Sequence, residues 1–151
     1  MKLSRIAWAL ILAAAVAGSA FPRPQVPEKP DSQRAIGCMR SINTAEVYYD
    51  KTYGKSFSPA LAALGVPAEG SAPSAAAANL LVNELAGGRI AGYVFVYKSG
   101  APDKDARITT YTVVARPVKW QKGFLSIFTD ETGKIRGTRE NREPTAQDEL
   151  L

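Results

Sequence analysis

Histidine is absent from this 151-residue chain, and cysteine occurs once, at Cys38. The first absence excludes Ser-His-Asp and Cys-His catalysis, the usual zinc sites and a histidine pH switch. The histidine-free Ser-x-x-Lys nucleophile arrangement is missing as well. A single cysteine excludes any disulfide within the chain, although exported proteins often carry them. Apolar runs are short: Ile6 to Val16 falls well below the roughly 20 residues of a comfortable membrane-spanning helix. Strong net charge is lacking too. The chain has 19 Lys+Arg against 14 Asp+Glu, and without Lys2 and Arg5 the balance is 17 against 14, or +3. So mild a basic excess does not point to nucleic acid or to an anionic membrane surface.

What is present begins with an export signal. Met1 to Ala20 reads MKLSRIAWALILAAAVAGSA. Lys2 and Arg5 form a positive start, Ile6 to Val16 an apolar centre, and Gly18 and Ala20 the small residues of a cleavage site after Ala20. The alternative is an uncleaved N-terminal membrane anchor, since Phe21 extends the apolar stretch. Phe21 to Pro30 (FPRPQVPEKP) carries four prolines, which forbid a helix and favour an extended spacer. The expected organisation is therefore a signal peptide over 1–20, a proline-rich spacer over 21–30, an α+β domain over 31–138 and a flexible tail over 139–151.

Within the domain, Asp31 or Ser32 caps a helix expected to run to about Tyr53, with Gly54 as its left-handed stop. Ala35, Cys38, Ile42, Ala45 and Tyr49 recur at spacings of three and four, and Ile36 and Met39 widen this apolar stripe. Cys38 lies on that stripe and reads as a small buried hydrophobe, Arg34 being its one neighbour able to favour a thiolate. Two shorter helices are expected next. One starts at Ser58-Pro59 and stops at Gly65; the other starts at Ser74, uses the alanine run, and ends at Gly87-Gly88. The chain then turns to strand-forming residues: Tyr93 to Tyr97, Ile108 to Val118, Phe124 to Thr129, and a short fourth over Lys134 to Arg136. Helices first and strands after, without alternation, predict an α+β fold: a long N-terminal helix packed on a small antiparallel sheet, with two shorter helices between them.

Two acidic stretches invite a chemical reading. Asp130-Glu131-Thr132-Gly133-Lys134 has the Gly-Lys of a phosphate loop, but Ile135 follows the lysine and the upstream glycine is missing. Aspartic-protease chemistry needs Asp directly before Thr-Gly, and Glu131 intervenes. The flanking apolar segments predict a hairpin turn instead, with Asp130 bonded to its own turn backbone. Calcium at Asp130, or at Asp103 and Asp105, is an alternative with few carboxylates to support it. No catalytic, cofactor-binding or metal-ligating residue is assigned.

The order of segments SINTAEVYYDKTYG, FSPALAALG, AANLLVNELAGGRIAGYVFVY, YTVVARPV and GFLSIFTDETGKIRG resembles the globular heads of type IV pilin-like proteins and of the major pseudopilins of type II secretion. In that family a segment like Phe-Phe-Thr-Asp-Glu-Ser-Gly closes the sheet, and Phe128 to Arg136 matches it. The resemblance implies a non-enzymatic structural or interaction protein, an accessory of a pilus or secretion apparatus, with protein partners in the cell envelope and no cofactor. The alternative is a stand-alone envelope-binding module. The family's leader motif, Gly-Phe-Thr-Leu-x-Glu before an unbroken apolar helix, is missing. That departure implies a head outside the filament route.

Overall fold

The computed structural model describes residues 29–54 and 56–151. The expected signal peptide and most of the proline-rich spacer lie outside these residues. Helix α1, Ser32–Tyr53, opens on Asp31, whose carboxylate accepts from the Arg34 amide at 3.0 Å. It closes on Gly54 at φ 62°, a conformation open to glycine because no Cβ obstructs it. Its buried face comprises Ala35, Ile36, Cys38, Met39, Ile42, Ala45, Glu46 and Tyr49. Burial of Met39 and Ile42, both fully enclosed, contributes about 2 kcal/mol each.

Six antiparallel strands follow as a meander in sequence order: β1 Arg89–Ile90, β2 Tyr93–Ser99, β3 Tyr111–Pro117, β4 Ser126–Asp130, β5 Ile135–Thr138 and β6 Glu149–Leu150. Alternation places Tyr93, Phe95, Tyr111, Val113, Ala115, Ile127 and Ile135 in the core with the helix stripe. The opposite face carries Val94, Val96, Lys98, Thr112, Val114 and Arg116.

The fold is mostly sheet, with one long helix, and the two shorter helices expected between helix and sheet are not there. Leu61–Leu64 is a single 3-10 turn, and Asn83–Ala86 a single α turn. The alanine run does not continue a helix. Ser74 and Ala77 exchange backbone hydrogen bonds around a tight turn, and Asn79 adopts φ 58°. Downstream, the amides of Ala78, Asn79, Leu80 and Leu81 donate to the carbonyls of Ala63, Leu64 and Gly65. Tertiary partners thus replace the intrahelical ones. Alanine's helix preference is small per residue and a short helix must overcome its nucleation cost, so burial of Ala78, Leu81 and Leu85 decides the conformation.

Residues 139–151, expected to form a flexible tail, are tied to the sheet. Arg142 forms a two-pronged pair with Asp148, which also accepts from the Thr145 amide at 2.7 Å. These contacts hold the Asp148 carboxyl down to about 2, the Arg142 hydrogen bonds first. The Leu151 amide donates to the Ile135 carbonyl at 2.9 Å, and β6 pairs with β5. At Gly137 this closure leaves little room for a side chain. A Cβ there would stand 2.9 Å from Cδ1 of both Leu125 and Leu151 and 3.1 Å from the Ser126 carbonyl oxygen.

Candidate functional site

The turn at 130–134 is the β4–β5 hairpin. Asp130 accepts from the Thr132 amide at 3.0 Å and from its hydroxyl, and Gly133 takes φ 72°. Glu131, Thr132, Gly133 and Lys134 are exposed. Asn43 of α1 holds the hairpin from inside. Its amide donates to Thr129 Oγ1 at 2.9 Å and to the Gly133 carbonyl at 3.2 Å, while its own oxygen accepts from the Tyr111 hydroxyl at 2.9 Å. Asp103 forms a similar self-contained turn, accepting from the Asp105 and Arg107 amides at 2.9 Å and from the Arg107 guanidinium at 3.3 Å. Its pKa lies below the ordinary carboxylate value, chiefly because of the Arg107 amide. Among the described residues no group of three or more Cys, Asp or Glu side chains is placed to hold a metal ion. Cys38 is buried; burial pushes its thiol up, and Arg34 opposes this only in part.

A second polar cluster went unnoticed in the sequence. Glu46 is fully buried on the helix face. Its carboxyl accepts from the Ser58 amide at 2.8 Å and from the Ser58 hydroxyl at 2.6 Å. Tyr97 of β2 completes the cluster by donating to the Ser58 carbonyl at 2.9 Å. Burial pushes Glu46 up from its ordinary value, and the Ser58 hydrogen bonds oppose the shift. Burial also raises Tyr97 and Tyr111, whose rings stack at 5.6 Å. A serine beside a carboxyl could suggest a nucleophile and its base. Both side chains are, however, completely closed to solvent, so the pair joins the helix to the segment after it. The signal for Glu46 was its place on the apolar stripe, between Ile42 and Tyr49.

Open hydrogen-bonding capacity lies at the sheet margin. In β2 the Phe95 amide donates outward to the Gly88 carbonyl, whereas the amide of Gly100, just past the strand, donates inward to Thr110. Odd-numbered backbone groups of β2 therefore face away from β3. Strand β1 pairs only with Tyr93 and Val94. Beyond Phe95 the outward groups of Tyr97 and Ser99 have no backbone partner among the described residues. The outer face beside them is apolar. Val94, Val96 and Val114 floor a groove of about 250 Å3 whose rim is Lys98, Arg116 and Glu143. The C-terminal segment confines this groove by crossing the same face, where Arg116 bonds Asn141 at 3.0 Å and Arg136 bonds the Asp148 carbonyl at 2.9 Å. Phe128 projects from that face and is buried, as is Pro144 of the crossing segment, while Val96 remains 46% exposed.

No helix among the described residues is long and apolar enough to cross a membrane. Compared with family models, with curated proteins and with solved structures, the chain finds no match.

Proposed function

We propose that this protein is an exported, non-enzymatic interaction module of the cell envelope, with a pilin-like head that serves as an accessory of a pilus or secretion apparatus. The observation that carries the interaction role is the open margin of β2. The buried polar side chains of Glu46, Ser58 and Thr129, and the half-buried Asn43, are bonded within the protein, whereas the outward backbone groups of Tyr97 and Ser99 have no partner among the described residues and lie beside a partly exposed apolar strip. Strand edges of this kind recognise extended protein segments. Support for the pilus or secretion context comes from the ordered sequence segments that resemble pilin-like heads, and support for export from the signal-like Met1 to Ala20. The mature chain then starts at Phe21 and acts through protein partners, without a cofactor or nucleic acid.

Affinity purification of the tagged full chain from envelope extracts tests this reading. Pilus or secretion components are the expected partners. Recovery of only unrelated envelope molecules overturns the accessory role and favours a stand-alone envelope-binding module. Intact-mass measurement checks the export step: a membrane-bound species retaining Met1 contradicts cleavage after Ala20.

A further inference from the structure

We propose that a segment of a protein partner adds as a strand to the β2 margin at Tyr97–Ser99, placing an apolar side chain beside Val96 and a carboxylate beside Lys98. The inference rests on the interaction role above and specifies the chemistry of the partner. Each step follows from the register. The sheet's outer face is laid out in cross-strand rows, one of them Val96–Val114–Phe128 and the next Lys98–Thr112–Asp130. A strand bonded to the outward groups of Tyr97 and Ser99 extends both rows by one position. Its side chain in the first row meets Val96 at the edge of the apolar groove. Its side chain two residues away meets Lys98, which is exposed and pairs with no described carboxylate. A carboxylate there supplies the missing charge. Glu143 also lines the groove and disfavours a second acid close to it.

A second copy of the chain fits this margin poorly. Two β2 strands paired antiparallel about Tyr97 set each Lys98 opposite the other copy's Val96, and the register centred on Lys98 sets the two lysines opposite each other. Neither supplies an acid, and like charges directly opposed are destabilising. Lysine on a strand edge is a common guard against such self-pairing.

The test uses the full chain and two synthetic peptides, each about ten residues long. Both alternate threonine with outward-facing valine and a charged residue, aspartate in one and lysine in the other. The aspartate peptide is expected to bind more tightly and to shift and protect the Tyr97 and Ser99 amides in nuclear magnetic resonance spectra. Lys98→Glu should reverse the preference, with about a fivefold change for each peptide. Ser99→Pro removes an outward N–H without touching the ladder to β3 and should weaken both peptides alike. Equal binding of the two peptides, an unchanged preference in Lys98→Glu, shifts confined to other residues, or concentration-dependent protection of Tyr97 and Ser99 without peptide each overturn the proposal. If envelope partners co-purify equally with wild type, Lys98→Glu and Ser99→Pro, this inference fails while the interaction role stands. If no partner co-purifies with wild type, the interaction role itself fails, whatever the peptides do.

Discussion

Replacing Glu46 with alanine is the most direct way to test what holds the helix to the rest of the domain. Glu46 is fully buried, and its carboxyl accepts from Ser58 twice, once from the amide and once from the hydroxyl. The substitution leaves the Ser58 amide inside the protein without an acceptor, while the Ser58 hydroxyl keeps only longer contacts to the Ala60 carbonyl at 3.2 Å and the Tyr97 hydroxyl at 3.3 Å. The orphaned amide costs about 1–3 kcal/mol, and the weakened hydroxyl bond and the vacated side-chain volume add to this. The expected loss is about 3–5 kcal/mol, a large share of the roughly 5–15 kcal/mol that stabilises a typical domain. For a chain of this size the midpoint of thermal unfolding should fall by about 10–20 °C. Urea unfolding followed by circular dichroism gives the free energy directly, and a double-mutant cycle gives the mechanism. Once Glu46 is gone the Ser58 hydroxyl has lost its shortest hydrogen bond and keeps only the longer ones to Ala60 and Tyr97, so Ser58→Ala should cost less in the Glu46→Ala background than alone. A coupling of about 1–2 kcal/mol is expected. Strict additivity, or a Glu46→Ala loss below about 1 kcal/mol, would refute the reasoning.

Other consequences of the structure are equally open to measurement. Because burial raises the Glu46 pKa above its ordinary 4.5, folding takes up a proton. Its contribution is full below about pH 4.5 and is lost as pH rises through the folded value. Glu46→Gln should flatten that decline in urea titrations across the window; an unchanged slope contradicts the assignment. Asn43→Ala removes the ties to Tyr111, Thr129 and Gly133 and should destabilise by about 2 kcal/mol, with hydrogen exchange accelerating first in the β4–β5 hairpin. Gly137→Ala should cost about 1–3 kcal/mol, and part of that loss should be recovered when Leu151 is also shortened to alanine. Cys38 should resist a thiol reagent such as Ellman's in the native protein and react at once in urea, in keeping with its burial; rapid native labelling would contradict the packing.

The parts of this fold that sequence reasoning reaches are those with strong local signals. Asp31, the three-and-four spacing from Ala35 to Tyr49, and Gly54 together delimit α1 because cap, stripe and stop agree. The β4–β5 turn is similarly legible, since Asp130 and Gly133 supply its side-chain bond and its positive φ. What the sequence hides is decided at long range. Ser74 to Ala78 has helix-forming residues and is nonetheless a turn, because its continuation bonds to residues 63–65. Strands β1 and β6 have two residues each, too few for any alternation to appear. The 139–151 segment reads as charged and frayed, yet Arg142 and Asp148 neutralise each other over Pro144. Glu46 stands on the apolar stripe, but its partner Ser58 lies twelve residues on and is brought against it only by the fold.

These long-range contacts also explain how an apolar helix face is held in one position on a sheet. Stripes built from Ala35, Ile36, Met39, Ile42 and Ala45 pack by shape, and shape alone tolerates small slides and rotations because hydrophobic attraction has no direction. Hydrogen bonds do have direction. Asn43 bonds toward β3 and β4, and Glu46, three residues later, bonds toward Ser58 and so toward Tyr97 of β2. Any slide of α1 by one residue would break both sets and strand their buried donors. Asn43 and Glu46 are neighbours on one face of the helix but bond to different elements, so rotation breaks them as well. Tyr97 is at once the last member of this inner network and the first residue of the open β2 margin. A partner strand bonded to the Tyr97 backbone would therefore press on the same residue that locks the helix, and Glu46→Gln or Ser58→Ala should change the hydrogen-exchange rate of the Tyr97 and Ser99 amides without altering any surface residue. If those rates do not move, the margin and the interior network are independent.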